Sequence, residues 1–308
     1  MPAPVAVLGI FVADLAFKAP RLPVMGETLL GQGFKDGPGG KGSNQAIAAA
    51  RAGADVHMIT RIGRDTFGEM AQKTWAADGV NTSAVTIDDT LPTGAAFIFV
   101  STETGNNAII VEPGAAANLS PADVAAAEPV ISSAKVLVTQ FEQPVQTAIT
   151  GLTLARKRGV TTILNPAPAV SADRSIYALC DFVTPNETEA ATITGLKVDT
   201  ETDALAAANA LLAMGAKNAL ITLGEKGAFL HGEAGTALVP AFKVPKVVDT
   251  TGAGDAFNGG FATALAEGKS PLEAIRFANA TAALSVQKPG TAPSMPTRSE
   301  IEALLLQS

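Results

Sequence analysis

The segment Asp249–Phe257, with the sequence DTTGAGDAF, places a carboxylate beside two glycines at the start of a predicted helix. It follows a strand-like run, Phe242–Val248, and the helix is predicted to last to Glu267. Glycines at a helix N-terminus leave backbone N–H groups free, and the helix dipole adds partial positive charge, so this turn suits a phosphoryl group in transfer. Asp255 would then act as a general base on an attacking hydroxyl, or it would only cap the helix, and the local sequence favours neither role.

A second glycine-rich segment, Gly37–Gly42, precedes a predicted helix over Ser43–Arg51. Its letters match the dinucleotide-binding pattern GxGxxG, but the polar residues before it do not form the buried strand that such a loop follows. It is not a Walker phosphate loop either, because Gly42 follows Lys41 where a serine or threonine is required. We interpret it as a turn whose backbone approaches a ligand, with Asn44 placed to hydrogen-bond a hydroxyl. A plain tight turn is the alternative.

Two more turns carry polar groups. In Thr184–Glu189 a proline ends a strand, and Asn186 and Glu189 fall on one face of the next helix. An amide and a carboxylate at that spacing suit Mg²⁺, which keeps several waters and takes few protein ligands, whereas an N-cap with a capping box is the alternative. The segment Ile221–Gly227 reads as a strand and a tight turn, either a nucleotide-binding shelf or an ordinary hairpin.

The rest of the chain must supply the elements that position these turns. Short apolar runs alternate with amphipathic helices, which predicts an α/β fold with a doubly covered, mostly parallel sheet. Ser120 and Thr297 are predicted N-caps, and Gly215 is predicted to end the helix Ala204–Met214. The predicted buried strands are Val5–Ile10, Val56–Ile59, Val136–Thr139, Thr161–Leu164, Phe182–Thr184 and Ala219–Thr222.

Two segments, residues 13–35 and 93–111, interrupt this alternation. Both are strand-like, with turns at Pro23–Gly26 and Glu103–Asn106, and neither contains a convincing helix. Two such inserts on one sheet would meet as a small β layer over the carboxyl ends of the strands, where α/β sheets bind their ligands. We therefore predict one domain over residues 1–308, with this β layer as a lid.

The composition disfavours several classes of protein. Hydrophobic residues make up 47% of the 308 residues and charged residues 17%, so a large core is expected rather than extensive disorder. A net charge of −7 argues against a nucleic-acid or polyanionic-membrane surface, and no apolar stretch approaches the about 20 residues of a membrane span. The two histidines, His57 and His231, offer little to a metal centre or a catalytic triad. The lone Cys180 cannot form an internal disulfide, which fits a reducing cytoplasm.

The segments VLGIFVADL, GGKGSNQA, NPAPA, TPNETEA, ITLGEKGA and DTTGAGDAFNGG occur in this order along the chain. Together they resemble the ribokinase-like (PfkB) carbohydrate kinases nearly from end to end, with both signatures of that family intact. The resemblance implies a sheet domain that holds ATP and a β lid that covers a sugar and joins two chains as a homodimer. It also implies phosphorylation of the primary hydroxyl of a sugar, with D-ribose as the expected acceptor, and Mg²⁺ and K⁺ as the ions used.

The resemblance assigns roles to individual residues. It implies that Asp255 is the base and that Gly252, Ala253 and Gly254 form the anion hole. The implied sugar pocket contains Asp14, Gly39, Gly40, Lys41 (through its main chain), Asn44, Glu142 and Asp255. The residues implied to face ATP are Asn186, Thr222, Gly224, Gly227 and Asn279, and Asn186 with Glu189 would hold the water shell of Mg²⁺. The loops implied to bind K⁺, largely through backbone carbonyls, contain Asp249, Thr251, Ser285, Lys288, Gly290 and Ser294.

Two positions depart from the family pattern. Ribokinase-like proteins commonly have an asparagine that bonds the sugar where this chain has Val12, and some relatives have histidine at Asn279. A kinase for another sugar or for a nucleoside is therefore the alternative within the family, and a catalytically inactive sugar-binding regulator is the alternative outside it. The only tryptophan and tyrosine, Trp75 and Tyr177, are expected to lie far from the pocket motifs, which disfavours a nucleoside pocket. The retained Asp255 disfavours an inactive regulator.

Overall fold

The computed structural model describes residues 2–170 and 173–307 of the chain; Met1 and Ser308, the two ends of the predicted domain, lie outside the described residues. The strands are β1 (Pro4–Leu8), β2 (Val12–Ala19), β3 (Gly33–Gly39), β4 (Asp55–Gly63), β5 (Asn81–Asp88), β6 (Thr93–Ser101), β7 (Asn107–Gly114), β8 (Val136–Thr139), β9 (Thr161–Leu164), β10 (Phe182–Val183), β11 (Asn218–Thr222), β12 (Ala228–Gly232) and β13 (Gly235–Val239). The α-helices are α1 (Lys41–Arg51), α2 (Thr66–Ala77), α3 (Pro121–Ala126), α4 (Glu128–Ser133), α5 (Val145–Lys157), α6 (Glu187–Thr194), α7 (Glu201–Ala213), α8 (Ala253–Ala266), α9 (Pro271–Ser285) and α10 (Arg298–Leu306).

A nine-stranded sheet in the order β13-β12-β11-β10-β9-β8-β1-β4-β5 forms the centre of the molecule. All neighbouring pairs are parallel except β11–β12 and β12–β13. Alternate side chains of β1 enter two different cores, because successive residues of a strand point to opposite faces. Val5 and Val7 pack with α1, α2, α8 and α9, whereas Ala6 and Leu8 pack with α3, α5 and α7. The predicted doubly covered, mostly parallel sheet is therefore confirmed.

The two predicted inserts pair with each other as a second sheet. Its order is β3-β2-β6-β7, with β2 and β6 parallel and the outer pairs antiparallel. The predicted hairpin turn at Glu103–Asn106 is confirmed between β6 and β7, and residues 20–32 join β2 to β3 without strand structure. We call these four strands the lid sheet.

The local signals for strands and helices were reliable, with one exception. Val136–Thr139 and Thr161–Leu164 form strands with the predicted bounds. Ser120 and Thr297 cap their helices in reciprocal capping boxes. The predicted strand at Phe242–Val248 is wrong, since this segment pairs with no strand among the described residues. Pro245 inside the segment, like Pro240 two residues before it, lacks the N–H group that a ladder needs.

Two further expectations from the sequence concern Cys180 and membrane-spanning helices. Cys180 is a buried free thiol, and burial raises its pKa well above the ordinary value, as expected for an inert core cysteine. No helix within the described part of the chain has the length and apolarity needed to cross a membrane.

Candidate active site

The candidate site lies where the carboxyl ends of the central parallel strands meet the first turns of α1 and α8. The strands β8, β9 and β10 lead directly into polar residues there, and β11 ends on the polar Thr222. Parallel strands bring all their carboxyl ends to one edge of a sheet, so residues far apart in the chain become neighbours. They enclose a cavity of about 150 Å³ lined by Lys41, Asn165, Ala167, Thr184, Asn186, Glu189, Thr222, Gly252, Gly254, Asp255 and Asn258.

Asp255 occupies the third position of α8 and is buried at the base of this cavity. Its Oδ2 accepts a hydrogen bond from Asn44 Nδ2 at 3.0 Å, and its Oδ1 accepts one from Gln45 Nε2 at 3.0 Å. Burial raises the pKa of Asp255, although the charge of Lys41 and the two amide hydrogen bonds oppose the rise. The side chain does not cap its own helix, so these contacts fit the interpretation of Asp255 as a general base.

The turn before α8 presents backbone donors to the same cavity. Gly252 is the N-cap of the helix in the left-handed conformation, with φ 79°, which a residue with a Cβ rarely adopts. A Cβ added to Gly254 would meet nothing within 4 Å, so this face of the turn is open. The N–H of Ala253 is used inside the turn, where it donates to Thr250 O at 3.1 Å. Among the described residues the N–H groups of Gly252 and Gly254 donate to no protein acceptor, so these two remain for an anion.

Two carboxylates of the predicted sugar pocket lie against the glycine-rich turn at Gly37–Gly42. A Cβ added to Gly39 would stand 2.2 Å from Asp14 Oδ1, so only glycine lets this side chain lie across the turn. Glu142 Oε2 accepts the backbone N–H of Lys41 at 2.8 Å. Burial, with repulsion from Asp255, raises the pKa of Asp14 to about 6, and burial raises that of Glu142 to about 7.

Lys41 contributes more than the main-chain group that the sequence predicted. Its side chain lines the cavity beside Asp255 and Glu189. Burial lowers the pKa of this ammonium, but attraction by Asp255, Glu142 and Glu189 outweighs the burial, and the pKa is raised. Lys41 is therefore a charged lysine inside an acidic pocket. Asn44 completes this side of the site, and its buried Oδ1 has no partner among the described residues.

Asn186 and Glu189 form the capping box that was the alternative to a magnesium site. Asn186 Oδ1 accepts the N–H of Glu189 at 2.8 Å, and Glu189 Oε2 accepts the N–H of Asn186 at 2.9 Å. Both residues also line the cavity, and burial raises the pKa of Glu189. The second carboxylate oxygen of Glu189 takes no part in the cap, so this pair fits the water shell of a magnesium ion as well as a cap.

The other residues predicted to face ATP divide into two groups. Thr222 lines the cavity and pairs with Asn186 in an isolated β-bridge. Gly227 and Asn279 lie instead around the segment that follows β13. Asn279 Nδ2 donates to Val239 O and Pro240 O at 3.0 Å each, and a Cβ on Gly227 would stand 2.1 Å from Val239 O. Gly224 lies between these groups, in the short 3₁₀ turn after β11, so the 221–227 segment is structurally a hairpin.

The two loops predicted to bind K⁺ lie side by side. Asp249 joins them, because its Oδ2 accepts the N–H of Gly290 at 3.0 Å and its Oδ1 accepts the N–H of Thr251 at 2.9 Å. The side chain of Lys288 is turned away and pairs with Glu300 at 2.9 Å. The hydroxyls of Ser285 and Ser294 donate to the nearby carbonyls of Ala282 and Thr291. A cation held here would depend on backbone carbonyls, which fits the sequence expectation, and no group of three or more His, Cys, Asp or Glu side chains among the described residues is arranged to hold a metal ion.

Sequence reasoning missed several residues that support the site. Gln45, Gln140 and Asn165 form a buried chain of amides that ends on Asp255. Gln140 and Asn165 directly follow predicted buried strands, and Gln45 lies next to Asn44 near the start of α1, and that signal could have found them. Trp75 was wrongly judged to be distant from the motifs, since its Nε1 donates to Ser43 Oγ at 3.0 Å behind the glycine-rich turn.

The fold and the site together define a small-molecule kinase. A helix N-terminus with free donors faces a buried carboxylate, and acceptors for hydroxyl groups surround both, as phosphoryl transfer to an alcohol requires. Residues 3–298 match the family model described as pfkB family carbohydrate kinase, and the chain therefore belongs to that family.

Curated relatives and solved structures agree with this family over nearly the whole chain. The chain is 41% identical over 294 residues to a ribokinase of Haemophilus influenzae, covering 96% of this chain and 95% of the relative. It is 38% identical to a deoxyribokinase of Salmonella typhi, covering 95% of both. The structure of Arabidopsis thaliana ribokinase complexed with ribose and ATP superimposes with a TM-score of 0.92 at 32% identity, covering 99% of both chains.

Proposed function

We propose that this protein is a ribokinase, which transfers the γ-phosphoryl group of ATP to the primary hydroxyl of D-ribose to give ribose 5-phosphate and ADP. The observation that carries the proposal is the position of Asp255, buried between Asn44 and the open turn at Gly252 and Gly254. Relatives that carry the name ribokinase, and the similar fold of a ribokinase complexed with ribose and ATP, support the choice of substrates.

The geometry suggests how the transfer proceeds. Asp255, in its ionised form, accepts the proton of the primary hydroxyl as the oxygen attacks the γ-phosphorus. The bond between this phosphorus and the oxygen bridging to the β-phosphorus breaks, so ADP leaves with the electron pair. The N–H groups of Gly252 and Gly254 stabilise the charge that develops on the transferred group. Asp255 then releases the proton to solvent.

The remaining pocket residues bind and orient the two substrates. Asp14, Glu142 and the free Oδ1 of Asn44 accept hydrogen bonds from the other sugar hydroxyls, and the ammonium of Lys41 attracts the phosphates. Asn186 and Glu189 would hold Mg²⁺ through its water shell. A magnesium ion supplies charge neutralisation on the phosphate oxygens. Asp249 joins the two loops whose backbone carbonyls would hold K⁺ beside the turn.

The lid sheet supports a homodimer. Large apolar side chains are exposed on it, including Phe17, Phe34, Phe97, Ile109 and Ile110. Strands β3 and β7 are its edges, and exposed apolar edges are normally covered. We propose that two chains join through their lid sheets. We also propose a cytoplasmic location, on the ground that the single cysteine is a free thiol.

A panel of sugars and nucleosides tests this function. The purified protein should release ADP from ATP with D-ribose far faster than with fructose, with a nucleoside or without any acceptor. Asp255→Asn keeps the shape of the side chain but cannot accept the proton, so kcat should fall by at least about 10²-fold while ribose binding and Tm change little. A near-normal kcat in this variant would contradict the role of Asp255 as the base. If the protein binds a sugar but releases ADP with none of the acceptors tested, an inactive regulator would be favoured.

A 2-deoxypentose kinase is the second candidate, and a specific observation favours it. Val12 lies on β2 two residues before Asp14, so both point to the same face, and it packs with Ile10, Ala96 and Ala116 in a small apolar cluster. On the proposed placement beside the sugar, this cluster offers no side-chain partner to a hydroxyl, and two curated relatives carry the name deoxyribokinase. The same panel decides between them if 2-deoxyribose is included.

A further inference from the structure

Gln45 is a buried side chain whose amide nitrogen and amide oxygen are both hydrogen-bonded inside the protein. Its Nε2 donates to Asp255 Oδ1 and to Asn165 Oδ1, each at 3.0 Å, and its Oε1 accepts from Gln140 Nε2 at 2.6 Å. The residue is completely buried, so it contacts the base but has nothing left to offer a substrate. No other side chain donates to Oδ1 of Asp255 among the described residues.

The direction of the Gln45 amide is fixed by a backbone group. Asn165 Nδ2 donates to Thr184 O at 2.9 Å, so Asn165 must present its oxygen to Gln45. Gln45 must then present its nitrogen to Asn165 and to Asp255. The reversed amide would place its oxygen against two acceptors and its nitrogen against the donor of Gln140.

The same threonine also holds the anion turn. Thr184 Oγ1 donates to Asn258 Oδ1 at 2.6 Å, and Asn258 Nδ2 donates to Gly254 O at 2.8 Å. Thr184 therefore connects the carboxylate that receives the proton with the turn that faces the phosphoryl group. A network of this kind keeps the two groups in register, because Gln45, Asn165, Thr184 and Asn258 are linked by direct hydrogen bonds.

We propose that Gln45 is the positioning residue of Asp255, which holds Oδ1 in place and favours the ionised carboxylate while Oδ2 faces the acceptor hydroxyl. This inference rests on the proposed role of Asp255 as general base. Asn44 differs from Gln45, because its Oδ1 is free of protein partners and its amide is therefore available to a bound sugar. Gln45 supports the base whether or not a sugar is present.

The electrostatic setting makes the role of Gln45 measurable. Burial raises the pKa of Asp255, and the hydrogen bond from Gln45 is one of the few interactions that lower it. Removing that donor must therefore raise the pKa further, and a base with a higher pKa becomes protonated at a higher pH. The charged groups that face Asp255 are Lys41 on α1, Asp14 on β2, Glu142 after β8 and Glu189 on α6.

The test is the pH dependence of kcat/KM in Gln45→Met, which keeps the length of the side chain but removes the donor. The acidic limb of the profile should move up by about one pH unit, and kcat at neutral pH should fall about tenfold or more, as loss of a hydrogen bond to a charged group implies. Ribose KM should change by less than about threefold, because Gln45 does not reach the sugar. Gln143→Met is the matched control: Gln143 is also buried, bonds Thr139 and Gln140, and does not contact Asp255.

The outcomes separate this inference from the proposed function. An unmoved acidic limb in Gln45→Met, or the same shift in Gln143→Met, overturns the positioning role. If Gln45→Met does not fold, Gln140→Met decides, because it removes the donor to Gln45 Oε1 and so loosens the amide against Asp255, and it should move the limb in the same direction by a smaller amount. Normal activity in Asp255→Asn instead overturns the base itself, whatever the Gln45 variants do.

Discussion

At the scale of single residues, the pocket concentrates acidic groups around one ammonium. Asp14, Glu142 and Asp255 are all buried enough to have raised pKa values, and Lys41 is the cation that faces them. Burying charge is unfavourable for folding, so these groups destabilise the free protein. The site should therefore become more stable when a carboxylate is neutralised.

Glu142→Gln tests whether a buried carboxylate destabilises the free protein. The raised pKa favours the protonated form in the folded protein, so between about pH 4.5 and 7 the folded state binds more protons than the unfolded chain. Stability is therefore lost as pH rises through that window, and Gln, which is never charged, escapes the loss. A rise from 4.5 to about 7 corresponds to about 3 kcal/mol as an upper limit.

The measurement is Tm of the sugar-free protein at pH 5 and pH 8. Glu142→Gln should raise Tm at pH 8 and have little effect at pH 5, while the KM for ribose increases because a charged acceptor is gone. Glu128→Gln is the control at an exposed carboxylate, and it should show no gain at pH 8. A lower Tm for Glu142→Gln at pH 8 would contradict the prediction.

Val12 is the second residue with a testable consequence. A buried hydroxyl that lacks a partner loses about 1–3 kcal/mol, so the apolar wall should weaken ribose binding and tolerate 2-deoxyribose. Val12→Asn should lower the KM for ribose and raise the ratio of kcat/KM for ribose to that for 2-deoxyribose by about fivefold or more. Val12→Ala, which adds no polar group, is the control. An unchanged ratio would mean that Val12 does not face the sugar.

At the scale of elements, the start of α8 depends on its neighbouring loops. Val286 O accepts the N–H groups of Val248 and Asp249, and Thr291 packs against Gly252. The segment before the helix has no strand to fix it, so these loop contacts replace a β-ladder. An ion between the loops would order the turn that faces the phosphoryl group.

Exchange of the monovalent cation tests this arrangement. Replacing K⁺ by a bulky organic cation at constant ionic strength should lower kcat severalfold, because the carbonyls can no longer close around the ion. The carboxylate of Asp249 accepts two backbone N–H groups, and in Asp249→Asn an amide N–H faces one of them instead of an acceptor. One of the two hydrogen bonds that join the loops is therefore lost, and this variant should lose the response to K⁺. Equal rates in both salts for the unaltered protein would contradict the predicted K⁺ site.

At the scale of the whole molecule, the lid sheet exposes large apolar side chains that do not pack into the core. Phe17 lies 4.9 Å from Phe34 and 5.7 Å from Phe97 between ring centroids, so the exposed rings form one continuous surface. Water-exposed apolar surface of this kind is usually covered by a partner. A second copy of the chain is the partner that the proposed dimer supplies.

Light scattering at micromolar concentration tests the dimer. The unaltered protein should have the mass of two chains, and Ile110→Asp on β7 should shift it to one, because a buried charge at an interface is strongly unfavourable. Leu272→Asp, at an exposed apolar residue on α9, is the control and should leave the mass unchanged. A single-chain mass for the unaltered protein would contradict lid-to-lid pairing.

The sequence by itself determined the features that depend on neighbours along the chain. Strand and helix periodicity, the N-caps at Ser120 and Thr297, and the glycine-flanked Asp255 are all local patterns, and the structure contains them as predicted. The family match also follows from contiguous motifs. Only the strand expected at Phe242–Val248 failed, because a strand needs a partner and the run itself cannot reveal one.

The tertiary structure decided what depends on residues brought together from distant parts of the chain. Gln45 and Asp255 are 210 positions apart, and no local pattern indicates that an amide on α1 would hold the carboxylate on α8. The side-chain role of Lys41, the contact of Trp75 with Ser43 and the parallel pairing of β2 with β6 arise in the same way. Packing sets the register between elements, and that register determines which polar groups share a buried space and must satisfy one another.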